Sequence, residues 1–89
     1  MNKKQIKSAI NKAAYEFLGS LGYQADDNGS TVTFSGPERK DAYDIIDWHR
    51  SDHSVCVLPQ FCSPQTLKDA ELLEAHMQPI IERLTASQN

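Results

Sequence analysis

Apolar residues recur at helical spacing over two stretches, one at each end of the chain, and at shorter spacing between them. The longer stretch, Ser63 to about Leu84, places Ala70, Leu73, Met77, Ile80, Ile81 and Leu84 at steps of three and four, one stripe of an α-helix. Ser63 followed by Pro64 is a start signal: a serine hydroxyl accepts from free backbone N–H groups, and proline suits the first helical turn. Pro79 interrupts the pattern, since inside a helix it removes a hydrogen bond and crowds the preceding turn. The stripe stays in phase across it, so a kinked helix, or two short ones end to end, is expected. Leu72, Ala75 and Pro79 fall off the stripe and widen the apolar girth. In a helix that implies a second neighbour, drawn from this chain or from a partner.

Lys3 to about Leu21 reads as a first helix with Ile6, Ile10, Ala13, Ala14, Phe17 and Leu21 on one face and Lys4, Ser8, Asn11, Lys12 and Tyr15 on the other. Gly22 is a natural stop for it. Tyr23 to Ala25 is a short extended piece. The Asn28-Gly29 pair favours a hairpin turn, and Thr31 to Phe34 returns as a strand with Val32 and Phe34 inward. Asn28-Gly29-Ser30 also spells a glycosylation acceptor, which matters only in a secreted protein.

From Gly36, Pro37 and Glu38 to about Arg50, the positions Ala42, Ile45, Ile46 and His49 keep helical spacing, with Asp41, Asp44 and Asp47 marking a polar side. A second helix is expected here, because each face of a strand would mix isoleucine with aspartate. The competing reading is a strand over 42–48, which the aromatic and β-branched content favours. Val55 to Leu58, bounded by Ser54 and Pro59, fits a buried central strand. The expectation is one α+β domain over residues 1–89 in the order α-β-β-α-β-α, a small sheet with helices packed against it. With a strand at 42–48, it becomes an α-β-β-β-β-α meander. Ser87 to Asn89 read as a frayed tail.

Eighty-nine residues suffice for one domain with a thin core and exceed the size at which metals or disulfides are usually needed. Hydrophobic content of 39% against 24% charged residues is that of a folded globular protein. The net charge of −3 is mild, but residues 1–25 carry four lysines against one glutamate, which leaves −6 on the remainder. A basic first helix on an acidic body can steer a partner, although a solvated helix face accounts for it equally. Lys7, Ser8 and Asn11 break any signal-peptide run, and no apolar run is long enough to span a membrane, so a cytoplasmic protein without a membrane partner is expected. Cys56 and Cys62 do not make a disulfide framework. If the chain between them is extended, they lie about 20 Å apart.

The densest collection of reactive side chains lies between Asp41 and Cys62. His49, His53, Cys56 and Cys62 are zinc-binding types, but their spacing matches no paired-ligand motif and asks four different elements to converge, so no metal or cofactor is expected. Asp44 or Asp47 beside His49 or His53 would form an acid-base pair. No nucleophile elbow, phosphate loop or dinucleotide fingerprint is present. Nucleic acid is not the expected partner, because Lys3, Lys4, Lys7 and Lys12 do not share one helical face and aromatic residues do not interleave with them.

These patterns point to a small, non-enzymatic protein-interaction or regulatory module that captures a protein partner or self-associates as a homodimer. Its expected contact residues are Leu72, Ala75, His76 and Pro79 on the last helix, with an exposed Trp48 as anchor. One alternative is a small metal-dependent or acid-base enzyme built on Asp44, His49, His53 and Cys56. Another is an acidic-surface inhibitor of a nucleic-acid-binding protein, in which Asp41, Asp44, Asp47 and Asp52 imitate a row of phosphates.

Overall fold

The computed structural model describes residues 2–36 and 44–86. The expected helix start at Pro37 and Glu38, the side chains of Asp41, Ala42 and Tyr43, and the tail 87–89 lie outside the described residues. The order is α-β-β-β-β-α: α1 (Lys3–Ser20), β1 (Gln24–Asp27), β2 (Thr31–Ser35), β3 (Ile45–His49), β4 (Ser54–Cys56), a 3-10 turn at Pro59–Phe61, and α2 (Pro64–Ala86). The strands form an antiparallel meander in the sequential order β1-β2-β3-β4.

Asn2 starts α1 with a capping box, its side chain accepting from Gln5 N–H while the Gln5 side chain accepts from Asn2 N–H. The helix ends at Ser20 with Leu21 as its cap, and Gly22 supplies the positive φ (93°) that turns the chain into the sheet. Ile6, Ile10, Ala14 and Leu18 are its buried stripe, while Leu21, expected inward, is exposed. At the other end of the chain, the Ser63 hydroxyl accepts from Thr66 N–H at 3.2 Å and caps α2 as expected. The helix runs unbroken through Pro79.

The segment expected to form a second helix is strand β3 over Ile45–His49. Val32 and Phe34 of β2 need apolar partners across the ladder, and the register supplies Trp48 and Ile46. The objection that aspartates would mix with isoleucines has a structural answer. Asp44 precedes the strand and accepts from Ser63 N–H at 3.0 Å, and Asp47 faces the open side, where it accepts from the Thr33 hydroxyl at 2.9 Å. The Val55–Leu58 run is likewise not a central strand. Its residues divide between β4, at the sheet edge, and a loop in which Leu58 is exposed. Pro59, which lacks a backbone donor, suits the end of such an edge.

Both helices cover one face of the sheet. Val32, Phe34, Ile46 and Trp48 meet the α1 stripe and Ala70, Leu73 and Met77 of α2 in one core, with Val55, Ile80, Ile81 and Leu84 at its margin. The helices run antiparallel, since Phe17 stacks on His76 while Tyr23, later in the chain, reaches Asp69, earlier in α2. That last contact is a buried polar clamp: the Tyr23 hydroxyl donates to Asp69 Oδ2 at 2.7 Å, and Gln65 Nε2 donates to Asp69 Oδ1 at 2.9 Å. Burial first, and the hydrogen bond to Asp69 second, push the Tyr23 pKa well above the ordinary tyrosine value, which keeps the phenol a donor. Tyr23→Phe removes that donor and should cost about 1–3 kcal/mol. Urea denaturation should show a lower midpoint at unchanged slope, and an unaltered midpoint would show that the clamp does not hold the helix.

Candidate functional site

Four of the five residues expected to meet a partner lie together on the surface. Leu72, Ala75, His76 and Pro79 are exposed along one flank of α2, at the i, i+3, i+4 and i+7 positions of a single helical stripe. Leu72 is 44% exposed. The His76 ring stacks on Phe17 of α1 at a centroid separation of 4.4 Å, so this flank borders the seam between the helices. The fifth residue does not join them. Trp48 is 1% exposed and belongs to the core, its indole N–H donating to Asn11 Oδ1 at 2.9 Å. A residue expected as a surface anchor is therefore a structural one, because β3 turns it toward the helices.

The reactive segment is dispersed by the same alternation. His49 and Cys56 are on the open face of the sheet, His49 Nδ1 lying 3.4 Å from the Thr31 hydroxyl. His53 is on the helix side, its ring stacked on Trp48. The Cys62 thiol donates to the Ile45 carbonyl, at the opposite end of β3 and about 13 Å along the strand from His49. Among the described residues, no group of three or more His, Cys, Asp or Glu side chains is arranged to hold a metal ion, and His49, His53, Cys56 and Cys62 do not converge. Neither cysteine is in a disulfide. Asp44, Asp47 and Asp52 each have a hydrogen-bond partner within the fold. Hydrogen bonding to Thr66, with Ser63 adding to it, holds the Asp44 carboxyl below the usual range at the start of α2. Asp47 is bonded to Thr33, and Asp52 accepts from the Ser54 hydroxyl at 2.6 Å.

Two concave surfaces flank the loop that follows β3. One is a groove of about 460 Å³ between β4 and α2, floored by Trp48, Val55, Met77 and Ile81 and rimmed by Glu74, Gln78 and Glu82. His53 enters it from the loop with a left-handed backbone (φ 57°), unusual for a residue with a side chain, and its buried Nε2 has no hydrogen-bond partner among the described residues. The other is a cleft of about 520 Å³ lined by Lys4, Lys7, Ser8, Asn11, Lys12, Tyr15 and Arg50. Sequence reasoning missed it by treating the lysines as scattered. Lys4, Ser8, Asn11, Lys12 and Tyr15 already shared a face by spacing, and Lys7 borders it. Arg50 arrives from the strand side, where it pairs with Asp27 and donates from Nε to the Tyr15 hydroxyl at 2.5 Å.

No protein-family model matches the chain, and neither curated proteins nor solved structures give a significant match. No helix of the described residues is long and apolar enough to cross a membrane.

Burial lowers the pKa of His53 from its ordinary value of 6.5, and the nearby Lys7 charge lowers it further, with Asp52 opposing both. The unfolded chain therefore takes up this proton first. The stability contributed by the neutral ring is complete above pH 6.5 and declines as the pH falls below it. A histidine NMR titration should place the His53 midpoint below 6.5, and Lys7→Gln should move it upward. A midpoint at or above the ordinary value would remove this account of the loop.

Proposed function

We propose that this protein is a small, non-enzymatic interaction module of the cytoplasm that pairs with a second copy of itself through the exposed flank of α2. The observation that carries the reading is Leu72. It is a large apolar side chain, 44% exposed, on a helix whose opposite side is already occupied by Thr66, Asp69, Ala70, Leu73 and Met77. Ala75 and Pro79 extend the apolar surface along one stripe, and the His76–Phe17 stack gives it a firm border. The stripe is self-complementary about its midpoint. In a two-fold antiparallel arrangement Leu72 of one copy meets Pro79 of the other, with the small Ala75 at the crossing, where two helices approach most closely. Lys68 would then face Arg83 at the exposed ends, a like-charge contact that salt screens. The dispersal of Asp44, His49, His53 and Cys56 over separate parts of the fold gives the acid-base reading no comparable support.

Leu72→Asp places a charge on the stripe, opposite Pro79 of the second copy, without touching the core. The variant should fold with an unchanged circular dichroism spectrum and a thermal midpoint close to the parent's. Sedimentation equilibrium should show a dimer for the parent, strengthened by added salt, and a monomer for the variant. A parent that is monomeric at every concentration, or a variant that still dimerises, would eliminate self-association through this flank. A monomeric parent that captures another protein through Leu72 would replace the second copy with that partner.

A further inference from the structure

The basic cleft is built against the preference of its own helix. A helix N-terminus carries partial positive charge and favours acidic side chains, yet α1 has no acidic residue in its first turn and places Lys3, Lys4 and Lys7 near that end. Lys4, Lys7 and Lys12 project into one cleft with Arg50. Among the described residues, Lys4 and Lys7 have no carboxylate in ion-pair range, while Lys12 has only a distant one, Glu16 at 3.9 Å on the exposed surface. Asp27 offsets the Arg50 charge, and Arg50 in turn fixes the cleft wall by bonding to the Tyr15 hydroxyl and the Gly29 carbonyl. The net positive charge is therefore supplied by three exposed lysines beside a hydrogen-bonded wall, in a chain whose total charge is −3.

We propose that this cleft binds the phosphate backbone of a nucleic acid without selecting its bases. Lys4 and Lys12 are about 12 Å apart along the helix, a span that accommodates successive phosphates of a strand. Between them, Ser8 and Asn11 present a hydroxyl and an amide of the kinds that bond phosphate and sugar oxygens. An acidic protein fits less well. Protein interfaces are anchored by apolar or aromatic side chains in a dry centre, whereas no aliphatic side chain lines this cleft and its aromatic ring, Tyr15, lies under the Arg50 guanidinium. Base selection is not expected, because Tyr15 is already packed against Phe34 on its core side and offers no open stacking platform. The site is separate from the α2 flank, and its occupation does not require the protein to self-associate.

The test is fluorescence anisotropy with a labelled mixed-sequence DNA strand of about 20 nucleotides and with its duplex, between about 50 and 200 mM salt. Neutralising three phosphates predicts that affinity falls roughly 20-fold for the strand and 40-fold for the duplex over that range. The double variant Lys4→Gln/Lys7→Gln should bind more weakly, with a loss of only about 3-fold over the same range. Glu71→Gln, which changes the net charge by one unit at an exposed position of α2 outside both surfaces, should leave the salt dependence unchanged. Absence of binding at the lowest salt, a double variant with the parent's salt dependence, or an equally large change of salt dependence on Glu71→Gln would overturn the proposal. So would displacement of the strand by poly-glutamate as effectively as by polyphosphate of equal charge, which would mark the cleft as a site for acidic protein.

Discussion

Burying Trp48 without stranding its indole N–H ties this structure together. The residue faces Val32 of β2 and Val55 of β4 across the sheet, and its N–H is satisfied by Asn11, far away in sequence on α1. An unpaired buried donor would cost about 1–3 kcal/mol, a large share of what a domain of this size has to spare. The bond therefore sets how α1 is rotated over the strands. With Asn11 held against Trp48 of β3, Ile6, Ile10, Ala14 and Leu18 point into the core, and the lysines beside Asn11 face outward beside Arg50.

A second polar tie closes the opposite end of the fold. Tyr23 reaches Asp69, and Asp44 accepts from the backbone of Ser63, so the start of β1, the approach to β3 and the start of α2 are joined where the chain would otherwise fray. These bonds place the first turns of α2. From there its apolar stripe follows the sheet, buried at Leu73 and Met77 and partly buried at Ile80, Ile81 and Leu84. The rotation that buries this stripe leaves Leu72, Ala75, His76 and Pro79 on the surface.

The surfaces that result differ in chemistry because different elements build them. The α2 flank is apolar with charged ends, whereas the cleft beside α1 is polar and basic. The groove near His53 has an apolar floor below a carboxylate rim, with a neutral ring nitrogen buried in its wall. A chain this short has few positions to divide among such surfaces. The run from Asp44 to Cys62 consequently serves several of them: Asp44 helps to start α2, Trp48 fills the core, Arg50 braces a cleft and His53 borders a groove.

Both long helices were legible from the apolar spacing, the Ser63-Pro64 start and the Gly22 stop, since these signals act within a few residues of one another. So were the hairpin at Asn28-Gly29 and the inward direction of Val32 and Phe34. The exposed stripe of Leu72, Ala75, His76 and Pro79 was equally plain, because a helix separates residues by face whatever it packs against. The middle of the chain was different. Ile45, Ile46 and His49 satisfy helical spacing, and only the pairing of Ile46 and Trp48 with a strand distant in sequence shows why the segment is extended. The same pairing buries Trp48, separates His49 from His53 and brings Arg50 to the lysines of α1. Sequence spacing by itself determined the local elements and their apolar faces. Tertiary structure decided the identity of β3, the burial of the tryptophan and the assembly of the basic cleft, because each depends on contacts between residues that no local pattern links.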